Sequence, residues 1–273
     1  MIMNKIEKKA VLITGAARNT GLACAEKFLS QGYAVAITSR KPDAAEEAAQ
    51  NLRKKFPDAD VLGIAMETER VDDIRAAFDK VKETWGRLDS LICNAADPGY
   101  NQSILTTTPE QYDHVMNSNA RGYFFCAQEA AKIMLEQGKG SIVLIGSIHS
   151  KRALGGRICY ASSKGAIDVM NRNICYELGK FGIRCNIIVA GAVYNDRWER
   201  YTEADYEAMR GRWPLGAESL PADIANAAFF LCSDEARTIS GAELAVDSGV
   251  GIVMNAYNKN WDVTRDSRQD LVK

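Results

Sequence analysis

The sequence predicts an α/β fold: a doubly wound parallel sheet of about seven strands, flanked by helices. Two observations predict it. Short apolar runs rich in β-branched residues alternate with longer amphipathic stretches along the chain. The runs are nearly continuous in hydrophobicity rather than alternating, as strands covered on both faces must be. The 273 residues, 47% apolar, are enough chain for one large domain with a substantial core.

Taken in order, the strands are expected at 10–14, 34–38, 61–65, 90–93, 141–146, 185–190 and 243–246. Between them, amphipathic stretches at 42–56, 70–85, 108–137, 160–181 and 221–233 read as helices. The start at 108 is well marked: Thr108 is an N-cap, Pro109 fits the first helical position and Gln111 completes a capping box. That helix then carries a polar run from Met116 to Gly122 (MNSNARG), where Asn and Ser compete with backbone hydrogen bonding. A solvated face explains such a run, as does a local opening of the helix. No linker, low-complexity tract or internal repeat divides the chain, so one domain is expected over 1–273, with a tail from about 252.

The net charge of −1 gives no bulk electrostatic case for nucleic acid or an anionic membrane as partner. No apolar run is long enough to span a bilayer, and the first residues are too charged for a secretion signal. Seven scattered cysteines form no Cys-x-x-Cys pair, which argues against zinc or any other metal and for reduced core thiols in a cytoplasmic protein.

Near the N-terminus, VLITGAARNTGLACAEKFLSQG places a glycine-containing turn between a buried strand and a helix, the Rossmann-type arrangement. Such a turn aims backbone N–H groups and the positive end of a helix dipole at a pyrophosphate. The second strand ends in Ser39, Arg40 and Lys41, where an acid would hold a free ribose hydroxyl. Arg18 in the glycine turn is expected to face the same place, and guanidinium groups there suit a ribose phosphate, which favours NADP(H) over NAD(H); the alternative is that Arg40 and Lys41 decorate a solvated loop. Further on, YASSK sets Tyr160 and Lys164 on one helical face, separated by small residues. A free phenol ionises near pH 10. An ammonium one turn away is expected to lower that value, toward the range in which a general acid works.

These motifs, in this order, resemble the short-chain dehydrogenase/reductase family over roughly residues 8–250. Thr14, Gly15 and Gly21 match its Thr-Gly-x-x-x-Gly-x-Gly turn, with Asn19 in place of the middle glycine and Arg18 and Thr20 beside it. Asn94 and Ala95 match the motif after the fourth strand, with Ala96 replacing glycine. Met66 stands where many relatives carry an aspartate near the adenine, Ala190 where they carry proline, and Ser248 where many carry glycine. Gly191, Val193 and Asn195 fall in the family's loop at the nicotinamide carboxamide. Asn119, Ser147, Tyr160 and Lys164 match its catalytic tetrad.

The resemblance implies hydride exchange with an alcohol or carbonyl carbon. Tyr160 would move the proton, Ser147 would hold the oxygen, Lys164 would bind the nicotinamide ribose and Asn119 would hold a water. It also implies a lid at about 192–216 and a dimer or tetramer built on the long helices that hold Asn119 and Tyr160. The substrate side is expected from 149–159 and 195–216, where Arg152, Arg157, Arg197 and Arg200 lie beside Trp198 and Trp213. A small polar molecule (a sugar, polyol or sugar acid) fits these residues better than a steroid. Reduction of a 3-oxoacyl thioester on an acidic carrier protein is the alternative reaction, and a catalytically silent cofactor sensor the alternative class. His149, two residues beyond Ser147, is a candidate for substrate contact or a structural histidine.

Overall fold

The computed structural model describes residues 6–253. Its seven strands are β1 (Ala10–Ile13), β2 (Ala34–Ser39), β3 (Val61–Ala65), β4 (Ser90–Cys93), β5 (Gly140–Ile145), β6 (Ile183–Ala190) and β7 (Glu243–Val246). They form one parallel sheet in the order β3-β2-β1-β4-β5-β6-β7. The chain winds outward from β1 through β3 and then returns to the other side of β1 as β4. Beyond the carboxyl ends of β1 and β4 this reversal opens the crevice in which such sheets take ligands.

The pleat divides the core in two. Ala10 and Leu12 join Phe78, Tyr123 and Ile167 on one face of the sheet, while Val11 and Ile13 join Phe28, Leu52 and Ile224 on the other. The first face is covered by α3 (Val71–Trp85), α5 (Gly122–Gln137) and α6 (Ile158–Leu178). The second is covered by α1 (Asn19–Ser30), α2 (Pro42–Lys55) and α8 (Pro221–Cys232). This double burial is why the strand runs carry no polar alternation. All seven cysteines are free thiols, and six of them are buried.

The helix read at 108–137 is three segments. The predicted capping box opens α4 (Pro109–Met116), in which Thr108 Oγ accepts from the Gln111 amide and Gln111 accepts from Thr108. A π-helical turn, Asn117–Arg121, follows before α5, so the polar run is a local opening of the helix. The stretch read as 160–181 starts earlier, at Ile158, and ends in a 3₁₀ turn at Gly179–Phe181. The sixth strand likewise begins two residues sooner than read, at Ile183. Within 192–216 the chain forms a 3₁₀ turn, Asp196–Arg200, and a short helix, α7 (Glu203–Arg210), which the apolar periodicity did not reveal. Residues 254–273, nearly all of the expected tail, lie outside the described residues.

Candidate active site

The glycine turn is fastened to the turn that follows β4. Thr14 Oγ accepts from the amides of Asn94 and Ala95, at 2.9 and 3.0 Å. Asn94 Nδ2 donates back to the carbonyls of Thr14 and Gly15, both at 3.0 Å. Thr38, on β2, accepts from the Gly15 amide through its hydroxyl and from the Ala16 amide through its carbonyl. Gly15 has φ 63°, and a Cβ there would meet Ala95 Cα at 2.9 Å. At Gly21 a Cβ would lie 2.6 Å from Ala16 Cα, so the first turn of α1 can press onto the loop only through glycine.

Asn19 holds φ 51°, and Ser248 holds φ 55°. Of the three non-glycine residues at family glycine positions, Asn19 and Ser248 thus keep a left-handed backbone, a region Asn tolerates better than most residues, and Ala96 does not. Arg18 is the N-cap of α1, and no side chain caps that helix. The first amides of α1, at Asn19, Thr20 and Gly21, suit an anion, which tests favourably the fit of a dinucleotide pyrophosphate.

The other predicted cofactor residues are spread around this turn. Arg40 is exposed at the end of β2, and Ser39 Oγ accepts from the Lys41 amide. Arg18 points toward the 192–216 segment, where its guanidinium lies 3.6 Å from the Asp196 carboxylate, which also accepts from Asn19 Nδ2. Met66 is buried in the core. Gly191 packs against the start of the segment after β7, since a Cβ there would sit 2.6 Å from Asp247 Cα. Val193 forms an isolated bridge with Ser219. The Asn195 side chain is used locally: Nδ2 donates to Val193 O at 2.8 Å, and Oδ1 accepts from the amide and Nε of Arg197.

The four residues of the chemical set converge at the carboxyl end of β5. Ser147 follows that strand and is buried; its hydroxyl accepts from the His149 amide at 3.2 Å and acts on the Tyr160 phenol. Asn119 in the π turn is fully buried; Oδ1 accepts from the Asp97 amide at 2.7 Å, and Nδ2 donates to Asp97 O and to Ser163 Oγ. Ser163 in turn donates to Tyr160 O at 2.7 Å, so the π turn braces the first turns of α6. Lys164 Nζ donates to Ile145 O at 2.6 Å and lies 5.7 Å from the Tyr160 ring centroid. Tyr123 OH also donates to Ile145 O. Ser163 lies within the YASSK motif and Tyr123 one helical turn beyond Asn119, and their spacing was the only signal of either.

One expectation is corrected. Burial holds the Tyr160 phenol above its ordinary value; the Ser147 hydrogen bond, then the charges of Arg157 and Arg197, pull it back down. Lys164 lies deeper, with its ammonium directed at the Ile145 carbonyl, and burial drives its own pKa down to about 8.

A second correction concerns the substrate side. Trp198 and Trp213, expected with the arginines on the substrate side, turn inward instead. Both are buried, 6.2 Å apart, and Tyr194, Tyr201 and Tyr206 also pack on Trp198, so they form a small core inside the 192–216 segment. Arg152 donates to Gly251 O and Arg200 stacks on Tyr201. His149 is tied to Arg152 O, and burial holds it below its ordinary pKa. Of the four arginines, Arg157 and Arg197 remain, and both are held by Tyr100, a loop residue with no sequence signal.

Sheet, glycine turn and Ser-Tyr-Lys group together define the class: the chain belongs to the short-chain dehydrogenase/reductase family of oxidoreductases, whose members bind NAD(P). The family model described as enoyl-(acyl carrier protein) reductase matches residues 15–251. A 3α-hydroxysteroid dehydrogenase of Mediterraneibacter gnavus is 32% identical, with 89% of this chain and 96% of that protein aligned. A 2-(R)-hydroxypropyl-CoM dehydrogenase of Xanthobacter autotrophicus is also 32% identical, over 88% and 97%. Among solved structures, a variant actinorhodin polyketide ketoreductase with NADPH superposes with a TM-score of 0.83 at 26% identity, over 92% of this chain and all of that one.

Proposed function

We propose that this protein is an NADP(H)-dependent oxidoreductase that interconverts a secondary alcohol and a carbonyl on a small polar substrate. The observation that carries the reading is the placement of the half-buried Tyr160 phenol beside the buried Ser147 hydroxyl at the crevice, with the ammonium of Lys164 one helical turn deeper. The nicotinamide, when bound, supplies or accepts the hydride. Thr14 to Gly21 and the uncapped start of α1 would hold its pyrophosphate, and Arg40 and Ser39 a ribose phosphate, which Arg18 would join only by leaving Asp196. Asn94 and Ala95 would border the adenosine side; Gly191, Val193 and Asn195 would border the nicotinamide.

In reduction, Tyr160 donates its proton to the carbonyl oxygen, and Ser147 donates a hydrogen bond to the same oxygen as charge develops there. In oxidation, both transfers reverse. Lys164 offers its remaining N–H donors to ribose hydroxyls, and Asn119 keeps Tyr160 in place through Ser163. The 192–216 segment acts as a lid that closes the substrate side. The relation to a polyketide ketoreductase solved with NADPH supports the choice of dinucleotide, as do the arginines at β2 and the glycine turn.

Purified protein should oxidise NADPH faster than NADH in the presence of a polar ketone or aldehyde, followed by reduced-nicotinamide absorbance. Tyr160→Phe should lower kcat by about a thousandfold while NADPH still binds. Near-normal turnover in that variant would remove Tyr160 from the chemistry.

A further inference from the structure

Two guanidinium groups meet around one tyrosine beside the reacting phenol. Arg157 immediately precedes α6, one turn before Tyr160, and its Cζ lies 3.6 Å from the Tyr100 ring centroid. Its NH1 donates to Pro98 O at 3.0 Å. Arg197, from the 192–216 segment, donates through NH1 to Tyr100 OH at 2.6 Å and through Nε to Asn195 Oδ1 at 3.0 Å.

The platform is built rather than incidental. Tyr100 sits between Gly99 and Asn101, both at φ 57°. The next residue, Gln102, is zipped to the segment before α6 by backbone bonds to Gly156 and Ile158. Asn195 is occupied with orienting Arg197.

The charge of this platform is left over. Among the described residues neither Arg157 nor Arg197 meets a carboxylate. The acids nearby in sequence are turned elsewhere: Asp196 to Arg18 and Asn19, Asp205 to the cap of α7, Glu203 and Glu218 to Arg210. Two like charges gathered on one ring repel each other unless an anion joins them. Guanidinium forks with free N–H edges match an oxyanion, which they bind by paired, charge-assisted bonds. Both charges also act on the Tyr160 phenol, which places them within reach of a molecule whose oxygen touches that phenol.

We propose that Arg157 and Arg197, set by Tyr100, form a recognition site for a terminal oxyanion of the substrate. The substrate is then a short hydroxy acid or its oxo acid, with a carboxylate a few bonds from the carbon that exchanges hydride. This deepens the oxidoreductase reading and rests on it for the identity of the reacting carbon. Tyr100 and Asn195 are positioning residues for the two guanidinium groups.

The test pairs charged substrates with uncharged twins: β-hydroxybutyrate and γ-hydroxyvalerate against their methyl esters, assayed with NADP⁺. Sulfonate and phosphate-ester analogues show which oxyanion fits best. For the wild type, kcat/KM for the acid should exceed that for the ester roughly a hundredfold. In Arg157→Gln and in Arg197→Met that ratio should fall toward one, mainly through a higher KM for the acid. Arg157→Lys should restore part of it. Tyr100→Phe removes only the hydroxyl that holds Arg197 and should lower the ratio severalfold with an unchanged melting temperature. Esters turned over as well as acids by the wild type would overturn the site and leave the oxidoreductase reading standing. If no pair is turned over, calorimetry with the same acids on NADP⁺-loaded protein decides. Binding lost in both arginine variants upholds the anion site without the reaction, and binding unaffected by them removes the site.

Discussion

The two ends of the crevice are fixed by different means. At the cofactor end, polar groups of adjacent turns satisfy one another: Thr14 with Asn94 and Ala95, Asn94 with Thr14 and Gly15, Thr38 with Gly15 and Ala16. Each of these residues flanks or belongs to a strand of the sheet, so the turn inherits the rigidity of the core. The 192–216 segment is instead organised around its own aromatic cluster at Trp198, and its Arg197 reaches across to Tyr100. The comparison teaches where change is tolerated. The cofactor end accepts a new side chain only if the backbone stays as it was, as at Asn19. The other end can exchange side chains while its small core keeps its shape.

Gly21→Ala should break the cofactor end most severely. The added methyl would lie 2.6 Å from the Ala16 and Gly15 backbone, which cannot yield. A loss of about 1–3 kcal/mol is expected by denaturant titration, with dinucleotide affinity weakened at least tenfold by fluorescence titration.

Lys164→Met should do the opposite to stability. A fully buried ammonium opposes folding, and an apolar side chain of similar length should stabilise the chain by about 1–2 kcal/mol while turnover is lost. The sign follows from proton linkage. The folded-state pKa is about 8 against an ordinary 10.5, so between those values the unfolded chain holds a proton that the folded chain has released. The contribution of this group to stability therefore rises with pH across that window, and below it the burial penalty is present in full. Denaturant titrations on either side of the window should show this slope in the wild type and not in the variant.

Trp198→Ala sharpens the contrast between the regions. Removing the centre of the aromatic cluster should expose 196–213 to proteolysis and raise substrate KM, while global stability changes by less than about 1 kcal/mol, because local units open below the global transition. A melting temperature depressed as far as in Gly21→Ala would show instead that the segment is part of the cooperative core. The smallest effect is expected for Asn19→Gly. It relieves a left-handed side chain but frees the unfolded chain, so stability should move by less than about 0.5 kcal/mol. It also removes the bond to Asp196, and dinucleotide affinity should change by only a few-fold.

Much of the fold was legible because its cause is local. Continuous apolar runs become strands buried on both faces, and a capping box at Thr108 starts a helix wherever it is placed. The polar run around Asn119 allowed either a solvated face or an opened helix, and the structure has the opened helix, since amide side chains compete with the helical ladder. The glycine turn and the spacing of Ser147, Tyr160 and Lys164 were equally visible. Less visible were α7, whose short length gives little periodicity, and the local aromatic cluster, since the sequence, with Trp and Arg side by side, assigns them together to the substrate side.

The sequence by itself determined the order of strands and helices, the glycine turn between the first strand and the first helix, and which hydroxyl, phenol and amine the chain carries to the crevice. Only the tertiary structure decided which charges surround the phenol. Lys164 is one helical turn from Tyr160, yet the depth of α6 against β5 directs its charge to Ile145 O. Arg157 and Arg197 come from separate segments and reach the same phenol because Tyr100 gathers them. Covalent spacing fixes which residues share a face, but burial and the direction of a long side chain depend on what the rest of the chain packs against it.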